Sequence, residues 1–164
     1  MPALTAGTVA PSFDLPSMEG PHFSLRDALQ SGPVVAVFFK VSCPVCQYAM
    51  PFIERIHRAY QGKAHVIAIS QNGKKETQAF MSEYGITMPV LLDDRASYPA
   101  SNAYGLTNVP TIFLIGTDGE IEVSCVGWDR KDVEEINRRV AESMSSDVPA
   151  LFHHGENIFD FKAG

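Results

Sequence analysis

Residues 34–39, Val34-Val35-Ala36-Val37-Phe38-Phe39, form an unbroken apolar run rich in β-branched and aromatic side chains. It is short enough for a strand buried on both faces. Beyond residue 46 the period changes: Ala49, Phe52, Ile53, Ile56 and Tyr60 recur at three- and four-residue intervals, with Glu54, Arg55, His57 and Arg58 mostly between them. That is the pattern of an amphipathic helix with one buried face, reaching about Tyr60. The same reading continues along the chain. A hairpin opens it, followed by a short helix near Leu25 to Leu29. Strand His65 to Ser70, helix Lys75 to Tyr84, strand Val90 to Asp93 and a short helix Tyr98 to Tyr104 come next. Strands Thr111 to Ile115 and Ile121 to Val126 close a sheet, and Arg130 to Met144 is amphipathic enough for a final helix. Strands alternating with helices imply an α/β sandwich.

Where the first strand hands over to its helix, the chain reads Val41-Ser42-Cys43-Pro44-Val45-Cys46. Two thiols three residues apart can exchange electrons as a dithiol and a disulfide, and the same spacing can also supply half of a zinc site. Position favours the redox reading. Unpaired amides and the dipole at a helix N-terminus favour an anion, which here means the thiolate of Cys43. Pro44 suits the first helical turn, where its missing N–H costs nothing, and Cys46 falls one turn inside, partly shielded. Cys43 is therefore the expected nucleophile and Cys46 the resolving thiol, close enough to close a disulfide with little backbone movement. A zinc clip would need two more ligands, and the chain offers Cys125, His22, His57, His65, His153 and His154 without a second paired-cysteine motif. No metal and no cofactor is called for.

With these residues in view, the chain resembles the thioredoxin-like redoxins, especially the TlpA-like thiol-disulfide oxidoreductases and the AhpC/TSA group. Ala10-Pro11-Ser12-Phe13-Asp14-Leu15, followed by Gly20 and Phe23-Ser24-Leu25, is similar to their opening hairpin, and Val34 to Phe39 to their central strand. Pro51 matches a proline in the active-site helix, Val109-Pro110-Thr111 the loop with a cis-proline opposite the cysteines, and Gly119-Glu120-Ile121 with Gly127 the last hairpin. The resemblance implies a thioredoxin-like fold: a central mixed β-sheet flanked by helices, with an N-terminal hairpin and a C-terminal extension. It also implies that the backbone of Val109, exposed by Pro110, pairs with an extended substrate segment beside the reactive sulfur. Pro44 belongs to the same surface. The implied activity is thiol–disulfide exchange on protein or small-molecule disulfides and thiols, recycled by a reductant such as a thioredoxin system.

Departures from the family pattern mark what is open. Thioredoxins carry a buried acid six residues before the first cysteine, where this chain has Val37, and an aromatic just before it, where this chain has Ser42. Lys40 could favour the Cys43 thiolate if it points that way; otherwise it is a solvated strand-end lysine. Trp128 could replace the missing aromatic surface, or could be a buried anchor in its loop. The peroxide-reducing branch surrounds its nucleophile with Pro-x-x-x-Thr/Ser-x-x-Cys. Counted from Cys43 those positions hold Ala36 and Lys40, and from Cys46 they hold Phe39 and Cys43. A thiol peroxidase is accordingly the alternative enzyme, and a non-catalytic or zinc-binding module the second alternative.

Composition changes the picture in two places. The chain has 164 residues, 45% hydrophobic, with a net charge of −6. That supports one domain with a real core, and without a basic stripe nucleic acid and anionic membranes are poor partners. Met1-Pro2-Ala3-Leu4-Thr5-Ala6-Gly7 lacks the marks of a secretory signal or membrane anchor, so the expected setting is cytoplasmic, with an extracytoplasmic one, as for TlpA-like members, the alternative. The redoxin domain should end with the final helix, at residue 144. Residues 145–164 are too apolar for a linker, with Val148, Leu151, Phe152, Ile158, Phe159 and Phe161, and should pack on the domain or on the second subunit of a homodimer. A lid over the redox site is one such placement. His153-His154 should mark an exposed turn, and Cys125, far from a helix N-terminus, should be a structural thiol.

Overall fold

The computed structural model describes residues 3–61 and 63–164. In chain order the elements are β1 (Asp14–Leu15), β2 (Phe23–Ser24), α1 (Leu25–Leu29), β3 (Val34–Phe39), α2 (Pro44–Ala59), β4 (His65–Ser70), α3 (Lys74–Tyr84) and β5 (Val90–Leu92). They continue as α4 (Pro99–Ala103), β6 (Thr111–Ile115), β7 (Ile121–Val126), β8 (Trp128–Asp129), α5 (Arg130–Ser143) and β9 (Phe161–Lys162). Five strands form the main sheet in the order β5-β4-β3-β6-β7. β3 pairs in parallel with β4, and β4 with β5, while β6 is antiparallel to both β3 and β7. The sheet is therefore mixed, with β3 at its centre.

All six side chains of β3 are buried, as its continuous apolar run requires of a strand covered on both faces. Alternate residues enter opposite layers. Val35, Val37 and Phe39 pack with Ile53 and Ile56 of α2, Phe80 of α3, and Val133, Ile136 and Val140 of α5. Val34, Ala36 and Phe38 face Phe13 and Leu15 of the opening hairpin, Leu25 of α1, and Tyr104 just beyond α4. Truncating a side chain as central as Ile53 would cost about 2–5 kcal/mol, because both sheet and helix would border the cavity.

One polar residue departs from the helical pattern. Glu54 falls among the polar positions of α2 in sequence, yet only 4% of it is exposed. Its carboxylate accepts from the Thr87 and Met88 amides at 2.9 and 3.0 Å and from the Thr87 hydroxyl, and Arg58 donates to it at 2.9 Å. It thus ties α2 to the turn that leads into β5. Burial alone would raise its pKa, but the hydrogen bonds from Thr87, Arg58 and Met88 outweigh that and hold the carboxyl below the usual carboxylate range.

Glu54→Ala strands the buried Met88 amide and leaves the part-buried Thr87 amide without its partner, and should destabilise the fold by about 1–3 kcal/mol at neutral pH. Because the folded-state pKa is lowered, this contribution is present above the unfolded glutamate value of about 4.3 and disappears as pH falls through the folded value. Urea unfolding of both proteins at pH 7 and pH 3 checks this, the gap narrowing at the lower pH.

Candidate active site

β3 delivers the chain to the C-terminal edge of the sheet, where the segment 40–42 turns into α2. Gln47 donates to the Val41 carbonyl at 3.0 Å, the Val41 amide donates to Asn72 at 2.9 Å, and the Cys43 amide donates to the Lys40 carbonyl at 3.3 Å. These three bonds hold the turn. Cys43 becomes the N-cap of α2 with extended backbone angles, φ −85° and ψ 116°, and Pro44 occupies the first turn. The cap acceptor is the sulfur itself: the Cys46 amide donates to Cys43 Sγ at 3.1 Å. A group that accepts at this position is favoured when negative, since helix amides and dipole point at it.

The two thiols differ in exposure. Both are free, Cys43 partly exposed and Cys46 fully buried. Burial, reinforced by the hydrogen bond with Cys43, pushes the Cys46 thiol far above the ordinary cysteine range, while the backbone and charge of Lys40 pull weakly the other way. Cys46 is thus a neutral thiol until something draws its proton away. Cys125 lies opposite Ile112 in the sheet, fully buried, with burial pushing its thiol up to about 12. Its face, which its neighbours in sequence left unsettled, is the core layer beneath α2 and α5.

The antiparallel pairing of β6 with β3 brings the segment before Thr111 alongside the end of β3. Val109–Pro110 is a cis peptide bond, and the Cys43 thiol donates to the Val109 carbonyl at 3.3 Å. The Val109 carbonyl and the Cys46 amide thus both meet the Cys43 sulfur, with Pro44 next to Cys43 and the buried Pro110 next to Val109 in the chain. Lys40 is exposed and makes no ion pair among the described residues; with Gln71, Thr107 and Asn108 it borders a small cavity beside Val109. Val37, where an acid is usual, lies in the apolar layer.

Trp128 requires a correction. It is fully buried, so it offers no aromatic surface to a substrate. Its ring packs against Tyr48 and Phe52 with centroids 5.2 and 5.0 Å away, and its indole N–H donates to the Phe159 carbonyl at 2.6 Å. Indole burial with its one donor satisfied makes it an anchor for residues 145–164. That segment is fastened at several further points. Leu151 is buried, Phe152 lies 5.5 Å from Phe52, and Arg55 reaches both the Leu151 carbonyl and, through two bonds of 2.8 and 2.7 Å, Glu156. His153 and His154 are exposed in the turn between. Among the described residues no group of three or more His, Cys, Asp or Glu is arranged to hold a metal ion.

The AhpC/TSA family model matches residues 6–124. The chain belongs to the AhpC/TSA family. Among relatives, a thiol-disulfide oxidoreductase ResA of Halalkalibacterium halodurans is 33% identical over 134 residues, covering 80% of this chain and 74% of the relative. Among solved structures, the thioredoxin domain of a thiol-disulfide oxidoreductase from Bacteroides vulgatus superposes with a TM-score of 0.74 at 18% identity, over 84% of this chain and 99% of that one. A thiol:disulfide interchange protein of Chlorobium tepidum superposes with a TM-score of 0.68 at 25% identity, over 81% and 95%. The fold is thioredoxin-like. Within this AhpC/TSA chain, the polar residues that fix the cysteine turn, Gln47 and Asn72, and the tail contacts of Tyr48 and Asn108 carry no motif and were not readable from the sequence.

The exposure difference predicts reactivity. Iodoacetamide should modify the native reduced protein at Cys43 alone, whereas Cys46 and Cys125 should react only after unfolding, as peptide mass mapping before and after denaturant would show.

Proposed function

We propose that this chain is a thiol–disulfide oxidoreductase in which Cys43 attacks and Cys46 resolves. The observation that carries the reading is the capped sulfur: Cys43 is reachable and accepts the Cys46 amide at 3.1 Å, while Cys46 is buried one turn behind it. The thiolate of Cys43 attacks one sulfur of a substrate disulfide, forming a mixed disulfide and expelling the other sulfur as a thiolate. Cys46 then loses its proton to that leaving thiolate or to water. Its sulfur attacks Cys43, expelling the second substrate thiolate and leaving a Cys43–Cys46 disulfide. Two electrons pass from the pair to the substrate, and the reverse sequence oxidises a dithiol.

Val109 and Pro110 have the role of presenting backbone to the substrate beside Cys43, and Pro44 that of flanking it on the helix side. Lys40, exposed at the strand end, contributes a distant positive charge. Substrates are thiols and disulfides of proteins or small molecules, and a dithiol reductant such as a thioredoxin system would return the pair to its reduced state. No described helix is long and apolar enough to cross a membrane. The proposed setting is cytoplasmic: a reducing compartment would keep the pair as the dithiol and make it a reductant, whereas an oxidising one would reverse the flow. Trapping the redox state of the pair in fractionated cells distinguishes them. A homodimer remains a proposal tested by light scattering.

Replacing Cys43 by Ser should lower disulfide reduction by at least about a hundredfold, since a hydroxyl is not ionised at neutral pH. Replacing Cys46 by Ser should leave the first attack intact and accumulate one equivalent of mixed disulfide on Cys43, seen as an added mass that a reductant removes. A Cys46→Ser protein that traps nothing contradicts the assignment of roles. Rapid hydroperoxide consumption retained by that variant would point to a thiol peroxidase instead.

A further inference from the structure

Residues 157–164 run from Tyr48 back to the loop that faces Cys43. The Phe159 amide donates to the Tyr48 hydroxyl at 3.0 Å, the Arg130 amide donates to the Asp160 carbonyl at 2.9 Å, and β9 pairs antiparallel with β8, placing Lys162 opposite Trp128. The strand then passes Gly127. With φ +75° and Lys162 and Gly164 backbone where its Cβ would stand, 2.6 Å from the Lys162 carbonyl oxygen, Gly127 leaves room that other residues would fill. At its end, Asn108 donates to the Gly164 carbonyl at 3.1 Å. The Gly164 backbone lies so close to the Val109 carbonyl oxygen that a Cβ there would collide with it. This is the same oxygen that accepts the Cys43 thiol at 3.3 Å.

In the proposed function a polypeptide joined to the Cys43 sulfur lies along the Val109 backbone, and Gly164 already occupies that place, held there by residues 162–164 running along Gly127. We propose that the strap 161–164 is a resident strand on the Val109 edge that sets substrate class: docked, it admits compact disulfides to Cys43, and an extended polypeptide must first displace it. This rests on the reading of Cys43 as the attacking thiol. The strap is built to lift in part. Upstream, Leu151 is buried and the paired bonds of Arg55 to Glu156 fix the chain, whereas Phe159 and Phe161 are 54% and 58% exposed and β9 has only two residues. A segment with so little buried apolar surface opens at low cost, while its anchor stays seated.

The test compares two alkylating reagents at Cys43 of the reduced protein: free iodoacetamide and an iodoacetyl group carried on an extended pentapeptide. Two variants release the strap, Gly164→Ala, whose new Cβ must push away from Val109, and deletion of residues 161–164. Because the apparent rate of a reagent scales with the fraction of open molecules, the peptide reagent should gain about tenfold in both variants while free iodoacetamide changes by less than about threefold. An unchanged peptide-to-free ratio in the deletion variant overturns the proposal, and so does an equal rise for both reagents, which would mark a general cover over the sulfur. Alkylation needs only the Cys43 thiol. Failure of disulfide reduction would thus refute the proposed function without altering this readout.

Discussion

The Cys46 amide donating to the Cys43 sulfur at 3.1 Å joins the fold to the chemistry. It forms only if α2 begins where it does, and α2 begins there because β3 ends at Phe39 and the bonds of Gln47 and Asn72 to Val41 turn the chain at once. The bond completes a helix cap with a nucleophile. A hydroxyl or carboxylate would satisfy the same orphan amide, but sulfur adds redox chemistry to a position where helix amides stabilise an anion. The layer of Val35, Val37 and Phe39 under α2 then buries Cys46, so that the same helix that exposes one thiol hides the other. The difference between two chemically identical side chains is one of depth within a single turn.

The second constraint is strand direction. Because β6 runs antiparallel to β3, its entry loop, with the Val109 carbonyl, meets the exit of β3. A parallel β6 would bring its other end to Cys43. That edge is also where the tail arrives, since Gly127 links β7 to β8 beside it and β8 offers a partner to β9. Trp128, whose indole reaches Phe159 at 2.6 Å, then belongs to the attachment of the tail and only through it to the redox site.

Much of this is legible in the sequence, for definite reasons. β3 and α2 announce themselves by a change of period, and the remaining core elements fall within a residue or so of their expected limits because apolar repetition is what buries them. Cys43 and Cys46 are legible from spacing and position. What escapes depends on single contacts across long separations. Glu54 reads as a solvent-side residue, since nothing in α2 reveals that Thr87 and Met88, more than thirty residues on, offer it amides. Trp128 reads equally as platform or anchor until its partner Phe159 is placed. β9 escapes because two residues carry no period, and its pairing depends on room at Gly127 that composition cannot express.

Depth imposes a division of labour on the two thiols. Its most direct measurement is a rapid acid quench of the reduced wild-type protein mixed with a small aromatic disulfide, followed by peptide mass mapping at successive times. The aromatic thiol should appear first on Cys43, then disappear as a Cys43–Cys46 disulfide forms, with Cys125 unmodified throughout. First appearance on Cys46, or a final disulfide that includes Cys125, would contradict it.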